Sequence, residues 1–184
     1  CALPISALFE KLPYDALRDL APVVLAARGL YTIAVHPSLP VKTVKDLVAL
    51  AKSAPEKFNV SLSGAGTPTH LALAQFNNLV GVKLNGIYYK GAAPAVTALL
   101  SGETQLMFVS YPSVAAQANT GRVRVLAVTS AQRSSLLRDL PTAAESGLSG
   151  LVVEEWYGVI APVKTERVHI ERMNEEVRKA LALQ

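Results

Sequence analysis

Three short segments carry residue types that could grip a small molecule. The first, Ser61-Leu62-Ser63-Gly64-Ala65-Gly66-Thr67-Pro68-Thr69-His70, lies between a predicted strand and a predicted helix N-terminus. Gly64 and Gly66, on either side of Ala65, let backbone N–H groups approach a ligand, and the helix dipole favours an anion there. Ser63 and Thr67 add hydroxyl donors. The segment is not a Walker A loop, because no Gly-Lys-Ser/Thr follows. It is not the G-x-G-x-x-G dinucleotide fingerprint either, because Thr69 occupies the third position. Its residues fit two readings, an anion site or a glycine turn with a helix cap. The second segment, Tyr88-Tyr89-Lys90-Gly91-Ala92-Ala93-Pro94-Ala95, again runs from a strand into a helix. Its small residues leave room above the helix start, and Lys90 could either neutralise a carboxylate or stand in solvent. The third, Phe108-Val109-Ser110-Tyr111-Pro112, offers Ser110, whose simpler role is to cap the next helix.

Bond-making chemistry has fewer candidates. His70 sits at the third position of its helix, where a packed or capping histidine is the plainer reading. His36 and His169 are remote from it and give no metal-ligand spacing. Glu154 and Glu155 are adjacent on a predicted strand and so point to opposite faces. No G-x-S-x-G or H-E-x-x-H occurs. The single cysteine, Cys1, can form neither an intrachain disulfide nor a metal cluster. Neither a catalytic residue nor a metal ligand nor a cofactor site is expected.

Composition narrows the class further. The 184 residues are 51% apolar and 17% charged, with a mean hydropathy of +0.30. Disorder needs the opposite balance. Eleven prolines and eleven glycines rule out a coiled coil, and no uncharged apolar run reaches the length of a membrane span. The net charge is +4, but its lysines and arginines are scattered, so no nucleic-acid partner is expected. Cys1-Ala2-Leu3-Pro4-Ile5-Ser6 reads as a non-native scar. The chain opens and closes abruptly, which reads as a fragment.

Those loops must be positioned by the elements around them. Apolar, partly β-branched runs predict strands at 21–27, 31–35, 59–62, 86–89, 105–109, 123–129 and 152–161. Helices are predicted at 41–52, with Thr43 as N-cap and Asp46 three residues on, at 67–80 with Gly81 closing it, and at 92–101 stopped by Gly102. Further helices are expected at 112–120, 142–146 and from Thr165 to the end, the last with Val168, Met173, Val177 and Leu181 on one stripe. This β-α-β alternation predicts a parallel sheet with helices on both faces. Trp156 is expected in a core or lobe interface.

In this order, the segments resemble the substrate-binding proteins of tripartite tricarboxylate transporters, the Bug or TctC family. The resemblance runs through Leu12-Pro13-Tyr14-Asp15, then Val35-His36-Pro37-Ser38-Leu39-Pro40, then Ser63-Gly64-Ala65-Gly66-Thr67 with His70. It continues through Tyr89-Lys90-Gly91-Ala92-Ala93-Pro94-Ala95, Leu126-Ala127-Val128-Thr129-Ser130, Leu140-Pro141-Thr142-Ala143-Ala144-Glu145-Ser146-Gly147 and Trp156-Tyr157-Gly158. Each motif is weak alone; their order is strong.

The resemblance implies an α/β, periplasmic-binding-protein-like (type II) fold of two lobes. Residues 37–154 would form a complete distal lobe. Residues 7–36 would form part of the proximal lobe, and residues 155–184 its return strand and helix. It implies a periplasmic receptor, monomeric at full length and with a signal peptide in a missing N-terminal part. Such a receptor captures a small carboxylate in an interlobe cleft, performs no chemistry, and delivers it to membrane permease subunits. The ligand-binding residues so implied are Ser63, Gly64, Ala65, Gly66, Thr67, His70, Tyr89, Lys90, Gly91, Ala92 and Ser110. Family members often carry an acidic residue where this chain has Val109-Ser110. A ligand-sensing effector domain of a transcription regulator is the alternative on the same fold.

Overall fold

A computed structural model describes residues 13–182; the expected scar at 1–6 lies outside them. The chain divides into two compact units. One combines the segment ending at Gly29 with the segment beginning at Trp156, and the other is Leu30–Glu155.

Strand β1 runs unbroken from Leu20 to Val35, where two strands were expected. Glycine tolerates extended backbone, so Gly29 does not end the strand, and β1 contributes Leu20–Gly29 to one unit and Leu30–Val35 to the other. In the Leu30–Glu155 unit the order of elements is β1, α1 (Val44–Ser53), β2 (Asn59–Leu62), α2 (Pro68–Val80), β3 (Asn85–Tyr88), α3 (Ala92–Ser101), β4 (Leu106–Ser110), α4 (Ala115–Asn119) and β5 (Arg124–Val128). Across the sheet the strands lie β3-β2-β4-β1-β5. β2 pairs in parallel with β3, from Asn59 opposite Asn85 to Leu62 opposite Tyr88, and in parallel with β4. β1 is antiparallel to both β4 and β5. This corrects the expectation of an all-parallel sheet. Apolar content marks a buried strand but carries no information about its direction, and β1 is not delivered by a crossover helix.

Period-two alternation sorts the strand side chains onto two faces. Ile33, Val35, Leu106 and Phe108 join Leu47 and Ala51 of α1 and Leu73 and Phe76 of α2 in one cluster. Ala34, Met107 and Val109 join Ala95, Val96 and Leu99 of α3 in the other. Helices therefore cover both faces, as expected. The Phe76 and Phe108 rings meet at 5.7 Å.

α1 begins with the expected capping box: Thr43 Oγ1 accepts the Asp46 N–H at 3.1 Å, and Asp46 Oδ2 accepts the Thr43 N–H at 2.9 Å. Two expected helices shrink. Residues 112–120 form a 3-10 turn, Tyr111–Ser113, and the five-residue α4, because buried Val114 interrupts them with φ −128°. Residues 142–146 form only a turn. Thr142 and Glu145 exchange the two hydrogen bonds of a capping box, but Gly147 at φ +98° ends the run at once. In the other unit, β6 (Glu154–Pro162) pairs with β1, and α5 (Arg167–Ala182) follows. Asn174 of α5 donates to the Val23 carbonyl. Val168 on the predicted apolar stripe is 60% exposed, and Trp156 is 44% exposed rather than buried in a core.

Gly86 is where packing is least forgiving. A Cβ there would lie 2.6 Å from Leu62 Cδ1 and 3.1 Å from Leu73 Cδ2, both on buried side chains. Gly86→Ala should cost about 1–3 kcal/mol by overpacking, read as a lower urea midpoint. The α1 cap gives a pH signature. The Lys42 N–H first, then the Thr43 side chain, hold the Asp46 carboxyl below its usual range. Its contribution is therefore present above the ordinary aspartate value of about 3.9 and is lost as pH falls through the lower folded value. Asp46→Asn should flatten the acid limb of the stability–pH curve, and Thr43→Ala should cost about 1 kcal/mol at neutral pH.

Candidate ligand site

Because β2, β3 and β4 are parallel, their carboxyl ends emerge along one rim of the Leu30–Glu155 unit. The loops that follow them are the three segments singled out by chemistry. The first two are stitched together by backbone: the Tyr89 N–H donates to the Leu62 carbonyl at 2.8 Å, and the Gly91 N–H donates to the Ser63 carbonyl at 3.1 Å. The N-termini of α2 and α3 are thus neighbours. The first N–H groups of a helix have no intrahelical carbonyl to bond, so the rim carries a positive electrostatic end from each helix.

A network of three hydroxyls shapes the first loop. Thr69 Oγ1, on a residue only 1% exposed, accepts the Ser63 N–H at 2.9 Å. Thr67 Oγ1 donates to the Gly64 carbonyl at 2.7 Å and lies 2.8 Å from Thr69 Oγ1. Ser63 Oγ donates to Thr67 Oγ1 at 3.2 Å and lies equally far from Thr69 Oγ1. Each hydroxyl has one proton, so these contacts consume the protons of Ser63 and Thr67 inside the loop. Thr67 stands at the N-cap position of α2, but its side chain makes no capping bond to the helix. That corrects the side-chain cap expected of it; its oxygen holds Gly64 instead. Gly64 (φ +144°) and Gly66 (φ +72°) adopt backbone that side-chain-bearing residues avoid, and Ala65 is exposed between them.

His70 closes the other side of the loop. Its Nδ1 accepts the Gly66 N–H at 3.1 Å, so Nε2 carries the proton and donates to the Tyr88 hydroxyl, also at 3.1 Å. The two rings meet edge-on at 5.5 Å. His70 is therefore a strut for the glycine turn.

The remaining residues divide. Gly91, at φ +110°, and exposed Ala92 open α3 beside the first loop, and Lys90 is exposed next to them. Tyr89 keeps only its backbone at this rim. Its ring packs against the cluster under α3, and its hydroxyl donates to Glu103, beyond the far end of that helix, at 2.8 Å. Burial, then the Glu103 hydrogen bond and charge, push its phenol up to about 12. Ser110 ends β4 opposite Tyr31, and it makes no side-chain cap. Its expected capping role is not realised, because a 3-10 turn follows in place of a helix. Val109 points into the apolar cluster. Two residues here had no signal in the sequence reading: Thr69, hidden as an ordinary first-turn hydroxyl, and Tyr88, the strut for His70. Cavities of about 450 and 500 Å³ lie along β5; neither is lined by a residue of the first two loops, and Tyr111 of the third lines the smaller.

The comparisons with known proteins agree with this architecture. Residues 3–183 match the family described as Tripartite tricarboxylate transporter family receptor, and the chain belongs to it. A protein encoded in the tcbD-tcbE intergenic region of a Pseudomonas species is 37% identical over 175 residues, 95% of this chain and 52% of that protein. An R. palustris protein solved with adipate superposes with a TM-score of 0.86 at 33% identity, covering 92% of this chain and 56% of the other. MatC from Rhodopseudomonas palustris, solved with bound malate, superposes at 0.88 and 27% identity, covering 97% and 60%. The fold is thus that of the periplasmic-binding-protein-like receptors. The chain spans about half the length of the curated relatives it matches.

If the Thr69 hydroxyl is the hub of the loop, Thr69→Val leaves the Ser63 N–H without its acceptor. The expected cost is about 1–3 kcal/mol, with faster hydrogen exchange at Ser63 and Gly66. Ser63→Ala, which removes an outer member, should cost less in the same denaturation assay.

Proposed function

We propose that this chain forms the carboxylate-gripping part of an extracytoplasmic solute receptor. The receptor works in the periplasm and hands a small mono-, di- or tricarboxylate to the membrane subunits of a tripartite tricarboxylate-type transporter. The observation that carries this reading is the pair of adjacent helix N-termini, joined by the Gly91–Ser63 hydrogen bond. Positive glycine φ angles at 64, 66 and 91 keep side chains off this backbone. The malate- and adipate-bound relatives support the ligand class.

In this reading the backbone does the gripping. An incoming carboxylate takes hydrogen bonds from main-chain N–H groups of the Gly64–Thr67 and Gly91–Ala92 turns, with the helix dipoles favouring its charge. Ser63, Thr67, Thr69 and His70 hold those turns in shape beforehand, so little order is lost on binding. Lys90 at the rim raises the local concentration of anions. Ser110 bounds the site on the β4 side. No bond is made or broken; recognition is followed by release to the transporter.

Isothermal titration of the purified protein with adipate, malate, citrate and glucose tests the reading. A carboxylate should bind and glucose should not. Gly66→Val forces a branched residue into left-handed backbone and should weaken binding at least ~10-fold. Lys90→Ala should change affinity only slightly at physiological salt while flattening its ionic-strength dependence. Binding of glucose with no response to any carboxylate would sink the proposal.

A further inference from the structure

We propose that a groove along β5, on the Leu30–Glu155 unit, is a docking site for a short acidic peptide segment of a partner protein that also presents a leucine-sized apolar anchor. The groove lies apart from the Gly64–Thr67 and Gly91–Ala92 turns of the carboxylate site, although Tyr111, which follows Ser110, lines one of its cavities. β5 is the last strand of the sheet, and among the described residues its one further pairing beyond β1 is a single bridge from Val128 to Thr142. Two cavities flank the open part of the strand, of about 450 and 500 Å³, and they share Val125, Asp139 and Leu140. These volumes lie in the range that holds specific ligands.

The lining states the chemistry of the occupant. Val123, Val125, Leu137 and Leu140 supply an apolar floor, and Leu136 stands at the rim with 83% of its surface exposed. Four cations line the two cavities: Lys42, Lys45, Arg124 and Arg138. None of them belongs to an ion pair found among the described residues. Two carboxylates lie among them. Glu145 is paired with Arg133 at 2.9 Å, which leaves Asp139 as the unpaired anion among the described residues of the lining. The Arg124 guanidinium is held in place by a 2.7 Å bond to the Val41 carbonyl. A fixed cation beside apolar walls favours an anionic group next to an apolar one. The strand itself is poorly suited to accept another strand, because the register with β1 shifts between Ala127 and Val125. Such a bulge disrupts regular edge pairing. Side-chain capture is therefore the mode the groove favours.

The test uses an acetylated, amidated octapeptide alternating glutamate with leucine, titrated into ¹⁵N-labelled protein. Amide shifts should concentrate at 123–125 and 136–140, with an affinity that falls as salt rises. A lysine–leucine octapeptide and an octaglutamate should each bind at least ~10-fold more weakly. Combined Lys45→Glu and Arg138→Glu, both at exposed positions, should weaken the glutamate–leucine peptide by a similar factor. If the pair fails to fold, Lys45→Glu alone should weaken it measurably. Adipate titrated into the same variants reports separately on the carboxylate site and should be unaffected. Equal binding of the lysine peptide would overturn the proposal, as would shifts confined to the 63–67 and 91–92 turns or insensitivity to charge reversal. Concentration-dependent shifts of the groove amides without peptide would assign the groove to a second copy of this chain and equally refute it.

Discussion

A backbone N–H buried at the end of a strand must find an acceptor, and at Ser63 that acceptor is the Thr69 hydroxyl. This bond decides the course of the chain after β2. With Ser63 held, its carbonyl faces the α3 start and receives the Gly91 N–H, and Gly64 is placed where Thr67 can bond it. Parallel β2–β3 pairing brings the two helix N-termini together, and one hydroxyl that is only 1% exposed fixes the loop between β2 and α2. The polar side chains nearest the rim serve mainly to shape backbone, which explains why three glycines with positive φ are needed there.

The same economy governs the sheet beneath. Three parallel strands bring their loops to one rim, while antiparallel β1 passes between β4 and β5 with every residue from Tyr31 to Val35 buried. Burial on both faces makes its side chains a shared wall of the two apolar clusters. Loops that rest on a packed sheet are held in position by the elements beneath them.

Charge is distributed so that separate surfaces can do separate work. The rim carries helix-dipole ends and the exposed Lys90, whereas the groove along β5 carries cations that belong to no ion pair among the described residues. The scattered lysines and arginines of the sequence give no hint of the second grouping. Lys42 and Lys45 are some eighty residues from Arg124, and they line adjoining cavities only because the start of α1 lies near β5 across the fold.

Most element positions were legible in the sequence, since they rest on local physics. The Thr43–Asp46 box, Pro68 opening α2, and Gly81 and Gly102 closing helices all act within a few residues. The family and the three loops were legible too, because they are strings of adjacent residues in a fixed order. The continuity of β1 through Gly29, its antiparallel direction, the collapse of the 112–120 and 142–146 helices and the turning of Tyr89 toward Glu103 were not. Apart from the 142–146 run, which the adjacent Gly147 ends, each depends on partners distant in sequence: β6, β4 and β5 for β1, the cluster around Val114, and a carboxylate fourteen residues past the tyrosine. Local propensity set where elements begin and end. Tertiary packing decided which way a strand runs and which polar atoms meet, because hydrogen bonds and apolar burial across the sheet outweigh the small energies that separate local conformations.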